Sequence, residues 1–150
     1  MKNQEQQSPS EELLGDIYKN VTMGIESIIT LMPKVNDVNF RSDLTAQMNQ
    51  YQQFANEAAK RLGQMNAAVP KTTVFAKIPS EIGIHMNTMA DKSTQKLAEL
   101  MINGSTMGII NMKKKITQHK DVPDISETAA LANDVVTFEE QNIDKLKSYL

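Results

Sequence analysis

Cysteine is absent from the 150 residues, and that removes disulfides, iron–sulfur clusters, thiolate zinc sites and cysteine nucleophiles. Tryptophan is absent as well, and aromatic residues make up only 5% of the chain. So few aromatic and β-branched residues, with only 6 glycines, favour helix over sheet. No unbroken apolar run reaches the roughly 18 residues that a bilayer-crossing helix needs, so no membrane insertion is expected. The opening MKNQEQQSPSEE has no apolar core of a secretory signal. Neither sign of charge dominates. The 16 Lys and Arg and 18 Asp and Glu are interspersed and leave a formal charge of -2, which gives no electrostatic case for nucleic acid. A cytoplasmic location is the default expectation.

What the chain does have is helical periodicity. Residues 1–8 are expected to form a disordered tail and residues 9–150 a single domain, long enough for a core without staples. SPSEELLGDIYKNVTMGIESIITLM opens with a serine cap and with Glu11 and Glu12 in the first turn, where the helix dipole favours anions. At about 100° per residue, Leu14, Ile17, Tyr18, Val21, Ile25, Ile28 and Met32 share one face. Pro33 ends that helix. The second lies in FRSDLTAQMNQYQQFANEAAKRLGQM, with Leu44, Met48, Tyr51, Ala55, Ala58, Leu62 and Met65 as its stripe. Gly63 and NAAVP are expected to stop it.

VPKTTVFAKIPS reads as an extended or irregular connection that tucks Val74, Phe75 and Ile78 onto the bundle. From Ser80 a long helical pattern runs to Lys120, with Ile82, Met86, Met89, Leu97, Leu100, Met101, Gly104, Met107 and Gly108 near one stripe. ADKS carries a cap signal near Asp91, but the stripe keeps its register there and a continuous helix is expected. After the turn HKDVPDIS, the fourth helix aligns Ile125, Ala129, Ala132, Val136, Ile143, Leu146 and Leu150. Glu139 falls among them.

Four amphipathic helices bury one another's stripes most simply as a bundle, and the connections here run short, long, short. With this pattern and the closing VTFEEQNIDKLKSYL, the chain resembles the ferritin-like superfamily over most of residues 11–150, in particular small bacterial members of unassigned function. The resemblance implies an all-α four-helix bundle with a longer connection between helices 2 and 3. It also implies a di-metal centre built from carboxylates on two helices and Glu-x-x-His on the other two.

Residue by residue, the metal ligands do not carry over. Glu139 matches the glutamate of the fourth helix, but Asn142 stands where histidine belongs. The second helix offers Tyr51 and Phe54, and Glu26, Glu57 and Glu99 lie off their stripes. Only His85 and His119 exist, and His119 falls in a turn. One inward carboxylate cannot hold two divalent ions. No metal, cofactor or catalytic residue is therefore expected, and the role implied is structural or protein-interacting. The alternative is a metal-binding oxidoreductase with a reduced ligand set, using Glu139 with His85, Glu99 or Glu81.

Glu139 is otherwise a buried carboxylate in need of hydrogen bonds, since an unpartnered one costs several kcal/mol or takes up a proton. Tyr51 and Asn142 are its expected partners, forming a buried polar cluster. His85 and Met89 stand one turn apart, but methionine is a flexible core filler and needs no copper to explain it. Gly104 and Gly108 suggest close helix packing. Lys113 to Lys115 suit the C-terminal end of a helix dipole. Between Leu97 and Ile110 the third helix is apolar on more than one side, with Ile102 and Ile109 opposite the Gly104 stripe. Either the 67–79 segment covers that second face or it meets another subunit, and a homodimer or another protein partner is expected.

Overall fold

A computed structural model of the protein describes residues 6–71 and 93–150. Among the described residues the chain forms four helices: α1 (Pro9–Leu31), α2 (Val38–Gln64), α3 (Thr94–Gln118) and α4 (Ser126–Leu146). Short 3-10 turns follow α1 at Met32–Lys34 and α4 at Lys147–Tyr149. No described helix is long and apolar enough to cross a membrane.

The helix starts follow local chemistry. Ser8 Oγ accepts from the Glu11 N–H at 3.2 Å, with Pro9 in the first turn, where its missing donor costs nothing. Asp37 Oδ1 accepts from Phe40 N–H at 2.8 Å to open α2, and Ser93 Oγ accepts from Lys96 N–H at 3.3 Å to open α3. Ser93 has extended backbone, with φ -61 and ψ 158. The expected continuous helix from Ser80 therefore does not run through this position; the serine cap overrides the unbroken stripe. The expectations for Val74, Phe75, Ile78, Ile82, Met86 and Met89 lie outside the described residues, as does the one for His85.

α2 ends in the stretch expected, between Gly63 and NAAVP. It passes through Gly63 and stops where Asn66 takes a left-handed φ of 55, with the Ala67 N–H donating to the Leu62 carbonyl at 2.9 Å. Asparagine is the residue after glycine that tolerates this conformation best.

Contacts between helix ends fix the topology. Asp16 of α1 faces Lys115 of α3 at 3.7 Å, and Asn20 of α1 reaches the Gly108 carbonyl at 3.1 Å. Rising along α1 thus means descending α3 in sequence, so the two are antiparallel. Ser10 meets Thr128 at 2.6 Å, setting the starts of α1 and α4 side by side. Arg61 donates to the Glu127 carbonyl at 3.3 Å and Tyr149 to Asp43 at 2.5 Å, so α2 and α4 are antiparallel. The order is up, down, down, up. The connection between α2 and α3, residues 65–93, is much longer than the other two.

The core is Leu13, Leu14 and Ile17 of α1 with Phe40, Leu44 and Leu62 of α2, Leu97 and Met112 of α3, and Val135 and Leu146 of α4. α3 is rotated from the expected stripe. Its buried residues are Leu97, Ala98, Met101, Ser105 and Met112, whereas Gly104 and Met107 are exposed. Ile102 and Ile109 are half-buried and pack against the core. A helix apolar on two sides gives periodicity no means of choosing between them, and Ser105 hides the inward side.

α1 and α2 come close at Gly24, where an added Cβ would lie 2.6 Å from the Tyr51 ring. Gly63, by contrast, faces open space. Gly24→Ala should cost about 1–3 kcal/mol through overpacking, although alanine is the better helix former. Gly63→Ala should add up to about 1 kcal/mol. Urea denaturation of both variants should show shifts of opposite sign; equal stabilisation of both would contradict this packing.

Candidate functional site

Glu139 of α4 is 2% exposed at the centre of the bundle. Tyr51 of α2, also 2% exposed, donates its hydroxyl to Glu139 Oε1 at 3.2 Å. Phe138 stands edge-on to the Tyr51 ring at 5.0 Å between centroids, and Phe54 backs Phe138 at 5.6 Å. These rings hold the phenol in place. The Ser105 hydroxyl of α3 also meets the phenol.

Two glycines make room for the pair. Gly24 clears the Tyr51 ring, as above. A Cβ on Gly108 would sit 3.1 and 3.3 Å from the two oxygens of Glu139, and 3.4 Å from Asn20 Nδ2. The backbone of α3 therefore lies directly over the carboxyl group. Asn20 ties it down by donating to the Gly108 carbonyl across the helix interface.

The electrostatics follow from burial. Glu139 Oε2 has no hydrogen-bond partner among the described residues. Loss of water pushes the Glu139 pKa up from 4.5 to about 8, while the Tyr51 hydrogen bond pulls it down. Burial, and then the neighbouring Glu139 carboxyl, hold the Tyr51 phenol well above its ordinary value. At neutral pH the site is a protonated acid beside a neutral phenol.

Asn142 does not meet the Glu139 carboxyl. It is 5% exposed, and its Nδ2 is unpartnered among the described residues. Three residues along a helix turn it about 60° from Glu139, into a separate cavity between α2 and α4 of about 420 Å³, shared with buried Gln47. His119 lies at the end of α3, its Nδ1 at 2.8 Å from the Lys115 carbonyl and its Nε2 at 3.7 Å from Glu12. Glu99 pairs with Lys96 at 3.0 Å, and Glu57 with Arg61 at 2.8 Å. Glu26, expected off the stripe, is buried and its pKa is raised by that burial; it lines neither cavity. Lys113 and Lys115 pair with Glu140 and Asp16 on neighbouring helices. Among the described residues, no three His, Asp or Glu side chains gather where they could hold a metal ion.

Gly24, Asn20 and Ser105 escaped the sequence reading. Gly24 had a signal, because a glycine inside a helix costs about 1 kcal/mol against alanine and calls for a packing reason. Asn20 and Ser105 had none, since polar residues on a helix flank read as solvated. No protein-family model matches the chain, and no curated protein matches it.

The folded protein keeps a proton on Glu139 that the unfolded chain releases. Its contribution to stability is therefore fully present below pH 4.5 and fades as pH rises towards 8. At about 1.4 kcal/mol per pH unit the loss reaches several kcal/mol. Glu139→Gln keeps an acceptor for Tyr51 and cannot ionise. In thermal melts the variant should gain on the parent steadily between pH 5 and pH 8; a constant difference across that range would contradict a buried, protonated Glu139.

Proposed function

We propose that the protein is a ferritin-like helical bundle without a di-metal centre, acting in the bacterial cytoplasm as a structural or protein-interaction module. The up-down-down-up order with one long crossover supports the ferritin-like assignment, since that is the connectivity of such bundles. The observation that carries the metal-free reading is the donor set at the bundle centre. The four helices bring Gly24, Tyr51, Ser105 with Gly108, and Glu139 to that level. A di-metal carboxylate centre needs four carboxylates and two imidazoles there. A single carboxyl with a raised pKa is a poor ligand, because a cation must first displace its proton.

An interaction role fits Ile110, an apolar side chain that α3 leaves on its surface, beside the half-buried Ile102 and Ile109. A homodimer joined through this face would cover them. Two measurements test the proposal. Protein expressed in iron-rich medium should purify with far less than one iron, manganese or zinc per chain; one or more per chain would overturn the metal-free reading. Sedimentation at micromolar concentration should give a dimer that Ile110→Glu weakens at least tenfold; a clean monomer would remove the homodimer.

A further inference from the structure

A groove of about 580 Å³ runs between α1 and α3 and reaches down to Glu139. Its volume is in the range that small-molecule sites occupy, about 300–1,000 Å³. Met23, Leu100, Met101 and Met107 give its walls an apolar stretch, beside polar Ser27, Asn103 and Asn111. Met23 is 51% and Met107 55% exposed, so their side chains are open to a ligand from outside.

The floor is polar and incomplete. Tyr51, Ser105, Asn20 and Glu139 reach it. Two oxygens there have no partner among the described residues, Glu139 Oε2 and Asn20 Oδ1. Both residues flank Gly108, within 3.4 Å of the same point. The orientation of the Asn20 amide is set by its bond to the Gly108 carbonyl, because the flipped amide would place oxygen against oxygen. Asn20 Oδ1 therefore takes hydrogen bonds, and Glu139 Oε2, which carries the acid's proton while Tyr51 donates to Oε1, takes them as an anion once that proton leaves. A ligand that completes this floor needs several N–H donors and a positive charge.

We propose that the groove binds a small amphipathic amine. Its apolar body lies between Met23, Leu100 and Met107, and its ammonium donates to Glu139 Oε2 and Asn20 Oδ1. The unpartnered oxygens are nearly closed off from solvent, so seating the ammonium needs the rim to yield, which unbranched methionine side chains do readily. Among the described residues, the titratable and charged groups facing the groove are Tyr51 from α2, Lys96 and Glu99 from α3, and Glu139 from α4, with none from α1. Lys96 and Glu99 pair with each other at 3.0 Å.

Binding is coupled to proton release. The ammonium replaces the proton that Glu139 holds, and that proton leaves to solvent. Affinity therefore rises as pH approaches 8, about tenfold per pH unit below it. A neutral hydroxyl ligand would instead bind the protonated acid and gain nothing from higher pH.

The inference rests on the metal-free reading in one respect, since a metal on Glu139 would fill the same seat. Metal content is therefore measured first on the same full-length sample. Calorimetric titration then compares phenethylamine with phenethyl alcohol at pH 6, 7 and 8. The expected result is saturable binding of one amine per chain, roughly 50-fold tighter at pH 8 than at pH 6, with a proton released and the alcohol bound at least tenfold more weakly. Glu139→Gln, which removes the ionisable group and keeps the fold, should abolish the pH dependence and weaken amine binding at least tenfold at pH 8. Met107→Ala should weaken it severalfold while leaving the pH dependence intact. Equal binding of amine and alcohol, amine binding that ignores pH, or unchanged affinity in Glu139→Gln would overturn the proposal. So would the failure of phenethylamine, benzylamine and phenylpropylamine to bind a metal-free sample, which would leave the metal-free reading standing. A metal-loaded sample would overturn both.

Discussion

A carboxyl group with a single hydrogen-bond partner sits in the middle of four packed helices, and much of this bundle is arranged around it. The Tyr51 hydroxyl is that partner. A phenol is bulky, and a carboxyl needs space on the facing helix, so two of the four helices must be thin at this level. Gly24 and Gly108 provide the thinness. Each weakens its own helix by about 1 kcal/mol relative to alanine, and tertiary packing has to offset that. The same thinning leaves a trough between α1 and α3, so the groove and the buried acid have one structural origin.

The periodicity of the chain made the architecture legible. α1 and α4 follow from their apolar stripes, and the cap of α1 from serine followed by a helical pattern. The up-down-down-up order follows from the unequal lengths of the connections. Two features were not legible, each for a physical reason. The helix start at Ser93 lost to an unbroken apolar register, which reports side-chain phase and is blind to backbone conformation. The facing of α3 was read with its stripe rotated, because apolar residues surround most of it: Leu97 and Met101 are buried as expected, whereas Ser105 and Met112 take the inward place of Gly104 and Met107.

The site was half legible. A glutamate on an apolar stripe announces itself, and a tyrosine at the matching level of another helix is its natural donor. The divergence of Asn142 is less visible. Spacing of three puts two side chains on one side of a helix, but in a four-helix bundle that side borders two grooves, and the 60° between them sends Asn142 towards Gln47. The contribution of Asn20 depends on a cross-helix bond to a backbone carbonyl, for which a sequence carries no mark.

The account depends on Glu139 being a buried acid that holds its proton at neutral pH. The most direct test is a carbon-13 NMR titration of its side-chain carboxyl in the folded protein. A midpoint near pH 8 is predicted; a midpoint at or below about pH 5, the range of a solvated glutamate, would contradict it.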